Sequence, residues 1–285
     1  MWSCDETSCP STAFATIMGH IHTFDGVHYG LSGHECEYVF FRQKQKTEPF
    51  VSIDVAPCGA DTTTSCIKGF SFVFKLKSKI FSIIGDMNKL TVNDVETQFY
   101  SFMTLSIRQI SQTVYQIVET KSGIEILWDQ QAGLFVTLSE EHQRKITGLG
   151  GNYDGAAKDE FTSSIGIPET LPCIFANTYK MRPNCKDVRP AQVKDPCSVN
   201  SIRLQDAEKY CTKLATLDSF KKCHGHISPD EFIHACQHDF CSCLSSSDTQ
   251  TCYCSAMSAY EVRDSLFFLL FCIFHGIFFS FFFEI

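Results

Sequence analysis

Between residues 70 and 140 the chain alternates apolar and polar positions in one segment after another: "FSFVFKLKSKIFSIIG", "KLTVNDVETQF", "FMTLSIRQISQTVYQIVET", "IEILWDQ" and "LFVTLSE". A period of two sends successive side chains to opposite faces of an extended chain, and Phe, Val, Ile and Thr pack well on such a pleated surface. Turn signals at Gly85-Asp86 and Ser122-Gly123 separate the segments. This predicts consecutive antiparallel strands stacked as a β-sandwich or a barrel-like pair of sheets. Beyond Cys197 the period changes. "LQDAEKYCTKLA" spaces its apolar residues for a helix, and "SPDEF" offers Ser228 as N-cap, Pro229 at the first helical position and Glu231 to close a capping box. The expected class is mainly β, an antiparallel sandwich, followed by a small, mainly α, disulfide-rich unit.

Cysteine usage sets the compartment and divides the chain. At 285 residues there is length for one large domain and a smaller one, each with its own core. Sixteen cysteines point to an oxidising, extracellular setting in which most thiols are paired. None falls between Cys66 and Cys173, whereas Cys197, Cys211, Cys223, Cys236, Cys241, Cys243, Cys252 and Cys254 crowd one segment. The Pro-containing "RPNCKDVRPAQVKDPC" reads as the linker before it. A net charge of −8 without a Lys/Arg cluster excludes nucleic acid and polybasic membrane binding. The start, "MWSCDETSCPSTAF", lacks the basic and apolar regions of a signal peptide, so a truncated N-terminus is expected. The tail "LFFLLFCIFHGIFFSFFFEI" fits a membrane span, a lipid-anchor signal or a mis-spliced gene model.

The stretch with the densest chemistry is "GLGGNYDGAAKDEF", residues 148–161. Its glycines suggest a phosphate nest, but no lysine and Ser/Thr follow them as a P-loop requires. Asn152, Asp154, Asp159 and Glu160 are instead hard oxygen donors, and three carboxylates so close repel one another unless solvent or a cation separates them. It is not an EF-hand: counted from Asn152, the sixth residue is Ala157 and the twelfth Ser163, where glycine and glutamate belong. The residues alone leave a solvated acidic turn and a calcium loop both open.

"HIHTFDGVHYGLSGHECEYVF", "IEILWDQ" and "GLGGNYDGAAKDEF", in that order, resemble the signature segments of a von Willebrand factor type D domain. "YCTKL", "CHGHISPDEFIHAC", "DFCSC" and "CYCSAMSAY" resemble the C8 domain that follows it in such proteins. The family includes von Willebrand factor, gel-forming mucins, IgG Fc-binding protein, zonadhesin and the tectorins, and "HIHTFDG" is worded most like the last three. The resemblance implies a D domain over residues 9–185, a linker over 186–196 and a C8 domain over 197–263. Residues 1–8 would belong to a preceding module or a truncated start, and 264–285 to the apolar tail. It also implies a Ca²⁺ site made by the side chains of Asp25, Asn152, Asp154, Asp159 and Glu160 with the carbonyl of Ala156. Disulfides Cys36–Cys185 and Cys58–Cys66, and four more within the C8 block, are implied in the same way.

The chain departs from the family pattern where "TGLGGN" replaces CGLCGN. Cys9 thereby loses its usual partner, and Cys173 is a candidate replacement. With Gly148 and Gly150 in place of both cysteines, this loop has no sulfur for interchain disulfide exchange. His20, His22, His28 and His34 are read as surface residues of strands and turns, with a metal or proton-sensing role as the sharper alternative. The C-x-C pairs are read as disulfides rather than zinc ligands. Ser32 lacks a nucleophile-elbow motif, no catalytic constellation is legible, and no N-glycosylation sequon occurs. The expected function is a non-enzymatic structural or adhesive module of a mucus, matrix or cell-surface glycoprotein. Its partners would be other extracellular glycoproteins or further domains of the same protein, with a membrane involved only if the tail is a true anchor. The alternative is part of a vitellogenin-like lipid-transport protein, although those lack a C8 block.

Overall fold

A computed structural model describes residues 10–58, 64–199, 201–221, 224–225, 227–243, 257 and 259–260. In chain order the strands are β1 (Ser11–Thr16), β2 (His20–His22), β3 (His28–Gly30), β4 (Cys36–Gln43), β5 (Phe50–Pro57), β6 (Ser65–Leu76), β7 (Lys79–Asp86) and β8 (Leu90–Val92). They continue as β9 (Val95–Glu96), β10 (Phe99–Phe102), β11 (Leu105–Gln109), β12 (Val114–Glu119), β13 (Ile124–Asp129), β14 (Gly133–Leu138) and β15 (Ile146–Thr147). Two antiparallel sheets result, one of eight strands ordered β10-β11-β12-β13-β14-β1-β2-β3 and one of seven ordered β15-β4-β5-β6-β7-β8-β9. The helices are α1 (Pro172–Asn177), α2 (Pro196–Val199), α3 (Ser201–Cys211), α4 (Lys213–Thr216), α5 (Asp218–Lys221) and α6 (Asp230–Ser242).

The predicted class holds, with local corrections that have physical reasons. The long segment from Phe70 to Gly85 folds back on itself, because Lys77 takes a left-handed φ of 56° and closes the tight β6–β7 turn. Gly85 lies inside β7, opposite Phe70, where a Cβ would sit 2.3 Å from the Phe70 ring. Asn93 and Asp94, at φ 49° and 69°, make the β8–β9 turn, the residue types that tolerate this region best. Ser122-Gly123 turns where expected, with Gly123 at φ 63°. Pro229 stands at the N-cap of α6 rather than within its first turn; its helical dihedrals (φ −66°, ψ −23°) and the Asp230 N–H donated to Ser228 Oγ at 3.3 Å make this a one-residue difference of boundary.

The first core lies between the sheets, filled by Val51, Ile53, Phe70 and Phe72 from one and Ile117, Ile126, Trp128 and Val136 from the other. The second core corrects the expectation that the smaller unit has a core to itself. Phe14, Leu127, Ala132 and Phe135, on the outer face of the eight-stranded sheet, pack with Leu214, Phe220, Phe232, Phe240 and Tyr260. Phe14 stacks on Phe232 with ring centroids 5.0 Å apart. This explains why β13 and β14, "IEILWD" and "GLFVTL", are nearly continuously apolar: Ile126 and Trp128 enter one core while Leu127 enters the other. Helices α2 to α6 are a lid on the sandwich, whereas α1 packs Phe175 and Ala176 into the first core.

Candidate metal centre

The loop after β15 is held against the hairpin turn of β2 and β3 by backbone bonds that only small residues permit. Phe24 N–H donates to the Gly150 carbonyl at 2.8 Å, and Gly150 N–H to the Phe40 carbonyl at 2.8 Å. Gly148, at φ +155°, lies so close to β4 that a Cβ would stand 2.3 Å from the Phe40 oxygen. Gly151, at φ +92°, leaves no room either, since a Cβ there would meet Glu160 Oε2 at 2.0 Å. The approach leaves Asp25 at the hairpin tip, facing the oxygen-rich segment. Asp25 Oδ2 accepts from Asp154 N–H and Oδ1 from Gly155 N–H, both at 2.9 Å.

Around this contact the sequence-predicted ligands come together in part. Asp154 Oδ1 accepts from Ala156 N–H at 2.9 Å, and Glu160 Oε1 from Asn152 N–H at 3.1 Å. Asn152 Oδ1, Asp159 Oδ1 and Glu160 Oε2 are buried oxygens without a hydrogen-bond partner. Orphaned acceptors of this kind are costly, and a cation is the partner that suits oxygens alone. Glu160 is 2% exposed, and burial first, then the charge of Asp25, pushes its carboxyl up to about 7 against the pull of Thr23 and the Asn152 amide. Among the described residues no three His, Cys, Asp or Glu side chains already surround one point. A calcium ion here would also need the Asn152 amide oxygen and the Ala156 carbonyl to approach its roughly six to eight oxygens. Thr23, fully buried beside Glu160, was missed in the sequence because a hydroxyl at a hairpin start carries no pattern of its own.

The disulfides are placed as follows. Cys36 is bonded to Cys185 and Cys58 to Cys66. Cys197 is bonded to Cys241 and Cys211 to Cys236, and Cys243 is also disulfide-bonded. Cys4, Cys9, Cys223, Cys252, Cys254 and Cys272 lie outside the described residues. Cys173 is a free thiol buried in α1, so it does not replace the missing partner of Cys9. We expect iodoacetamide to label Cys173 only after unfolding, as read by intact mass. Full labelling of the native protein at the rate of the unfolded chain would contradict its 6% exposure.

Three of the four histidines are buried rather than at the surface, and His28 is half-buried. His20 and His22 are each 5% exposed and His34 is fully buried. His34 stands apart, its Nδ1 2.9 Å from the Tyr38 hydroxyl. His20, His22 and His28 instead face α6: His20 Nε2 lies 3.0 Å from His28 Nδ1, and the ring centroids of His20 and His238 are 4.9 Å apart, those of His28 and His234 5.3 Å. Asp239, buried beside His238, accepts from Thr16 Oγ1 at 2.8 Å. The spacing of His234 and His238 is the helical i, i+4 signal that could have marked this face. Burial is the leading cause that lowers all four sequence-noted histidines: His22 to about 3, His28 and His34 to about 4, and His20 well below the usual value.

Comparison with known proteins agrees with this architecture. Residues 15–167 match the von Willebrand factor type D domain and residues 210–263 the C8 domain. Mucin-2 of Rattus norvegicus is 33% identical over 264 residues, covering 91% of this chain and 16% of that protein. Von Willebrand factor of Bos taurus is 29% identical over 265 residues, covering 91% of this chain and 27% of that protein. SCO-spondin of Gallus gallus is 29% identical over 262 residues, 91% of this chain and 5% of that protein. The chain thus spans a small part of the length of these relatives. Among the described residues no helix is long and apolar enough to cross a membrane. With its disulfide-bonded sandwich, helical lid and paired domain matches, the chain belongs to the extracellular proteins that carry a von Willebrand factor type D domain followed by a C8 domain.

Proposed function

We propose that this chain is a non-enzymatic structural block of a mucus, matrix or cell-surface glycoprotein, pinned by Ca²⁺ and stapled by disulfides. Its partners are further domains of the same protein or other extracellular glycoproteins. The division into a D domain over 9–185, a linker over 186–196 and a C8 domain over 197–263 is part of this reading. The observation that carries the calcium reading is the set of three orphaned buried oxygens, Asn152 Oδ1, Asp159 Oδ1 and Glu160 Oε2, in a loop whose amides hang on Asp25. Bound there, Ca²⁺ would supply the positive charge that Asp25, Asp154, Asp159 and Glu160 lack and would cross-link the β2–β3 hairpin to the loop after β15. The match to a C8 domain favours this module over the vitellogenin-like alternative.

Calcium at 100 times its dissociation constant is expected to add about 2.7 kcal/mol of stability, because it binds the native state alone. Melting temperatures in millimolar Ca²⁺ and in chelator measure this, with Asp159→Ala and Asp154→Ala as variants that lose the increment. No upward shift, or an equal shift in both variants, would remove calcium from the reading.

A further inference from the structure

At the β15–β4 edge of the seven-stranded sheet lies a cleft of about 680 Å³. Its lining includes Arg42, Lys44 and Lys46 together with the hydroxyl residues Thr147, Thr162 and Ser164. The cations arise from strand alternation: Arg42 pairs with Thr147 across β4 and β15, and Lys44 continues beyond the strand with its N–H on the Lys145 carbonyl at 2.8 Å. Lys44 Nζ donates to the Arg144 carbonyl at 3.2 Å, which brings the Arg144 backbone to the rim. Arg42, Lys44 and Lys46 are exposed, and among the described residues none of them has an ion-pair partner. No Asp or Glu lines the cleft; the nearest acid in sequence, Glu48, is occupied at one oxygen by the Thr47 hydroxyl at 2.7 Å. Three cations without an ion-pair partner in one concavity correct the reading of the sequence as lacking a Lys/Arg cluster, and they stand out on a chain of net charge −8.

We propose that this cleft binds a sulfated glycan chain, a partner distinct from the calcium reading and from its site. Sulfate esters suit Arg42, Lys44 and Lys46, since each presents several donors to an anion that accepts only. The hydroxyl residues of the lining and the Gln43 amide suit the sugar hydroxyls between sulfates. Met181, 39% exposed, and the half-buried Phe50 give an apolar face for a pyranose ring. A nucleic acid is disfavoured because the cations form a short cluster rather than a stripe, and the rest of the chain is acidic.

Calorimetric titration of the calcium-loaded protein with a heparin-derived hexasaccharide at low salt is the test, with the fully desulfated hexasaccharide and a sialylated oligosaccharide in parallel. Saturable binding of the sulfated probe is expected, weakening as salt rises through the range where exposed charges are screened. The paired change Lys44→Gln and Lys46→Gln is expected to weaken it about tenfold while leaving the melting temperature unchanged, because both side chains are exposed. Absence of binding, equal binding of the desulfated probe, or an unchanged affinity in the double variant would overturn the proposal. Stronger binding of the sialylated than of the sulfated probe would overturn the sulfate assignment.

Discussion

Changing Cys36 and Cys185 together to alanine is expected to destabilise the protein by about 5 kcal/mol, the largest effect of any single crosslink among the described residues. The bond joins the first residue of β4 to a segment 149 residues away, after α1, and so closes nearly the whole sandwich into one loop. In the chain-entropy account the gain grows with the logarithm of loop length, so Cys58–Cys66, with a separation of 8, should contribute about half as much. Urea unfolding of the two double variants beside the parent protein measures both. If the short bridge costs as much as the long one, native-state packing rather than loop closure sets the effect. A loss below about 1 kcal/mol for the long bridge would show that the unfolded chain is already compact between its ends.

The second large effect is a loss of stability in mild acid caused by the buried histidines. In the unfolded chain these groups take up a proton near pH 6.5, whereas in the fold His22 holds out to about 3 and His34 to about 4. Between those limits the unfolded state binds more protons, so stability is fully present above pH 6.5 and falls as the pH drops through the interval. At pH 5 the cost is about 2 kcal/mol for each of His22 and His34, at 1.36 kcal/mol per pH unit. His20 and His28 add in the same direction.

The groups that α6 brings to His20, His22 and His28 include His234, His238 and the buried Asp239, whose carboxylate accepts from Thr16 and lies against His238, and Glu231 lines the same cleft as His22. In chelator Glu160 works against this trend, because a carboxyl raised to about 7 stabilises the folded state as pH falls towards its unfolded value. The readout is therefore the difference between proteins. Between pH 7.5 and 5 the parent should lose about 2 kcal/mol more than His22→Gln, and about 4 more than the double variant that adds His34→Gln. Parallel pH profiles would show that the fold relaxes to hydrate these rings.

The period-two pattern from Phe70 onward was enough to specify antiparallel strands, because alternation is a local property that any half-buried strand must show. The cysteine spacing likewise set the compartment, since an unpaired excess of thiols is chemically untenable outside a reducing cell. The GLGG stretch placed backbone where no side chain fits, and that demand for glycine is written in the residue itself. Other features are decided at a distance. Phe14, Leu127 and Phe135 read in the sequence as ordinary alternates, and only packing shows that the second face of their strands is covered by α3 and α6. His20 and His22 look like solvated turn residues until α6, more than 200 positions later, is laid over them. The segment that carries the orphaned oxygens of Asn152, Asp159 and Glu160 meets Asp25 only because the β2–β3 hairpin is laid against it across a separation of 129 residues. Burial and charge are sums over neighbours in space, and a sequence orders neighbours only along the chain.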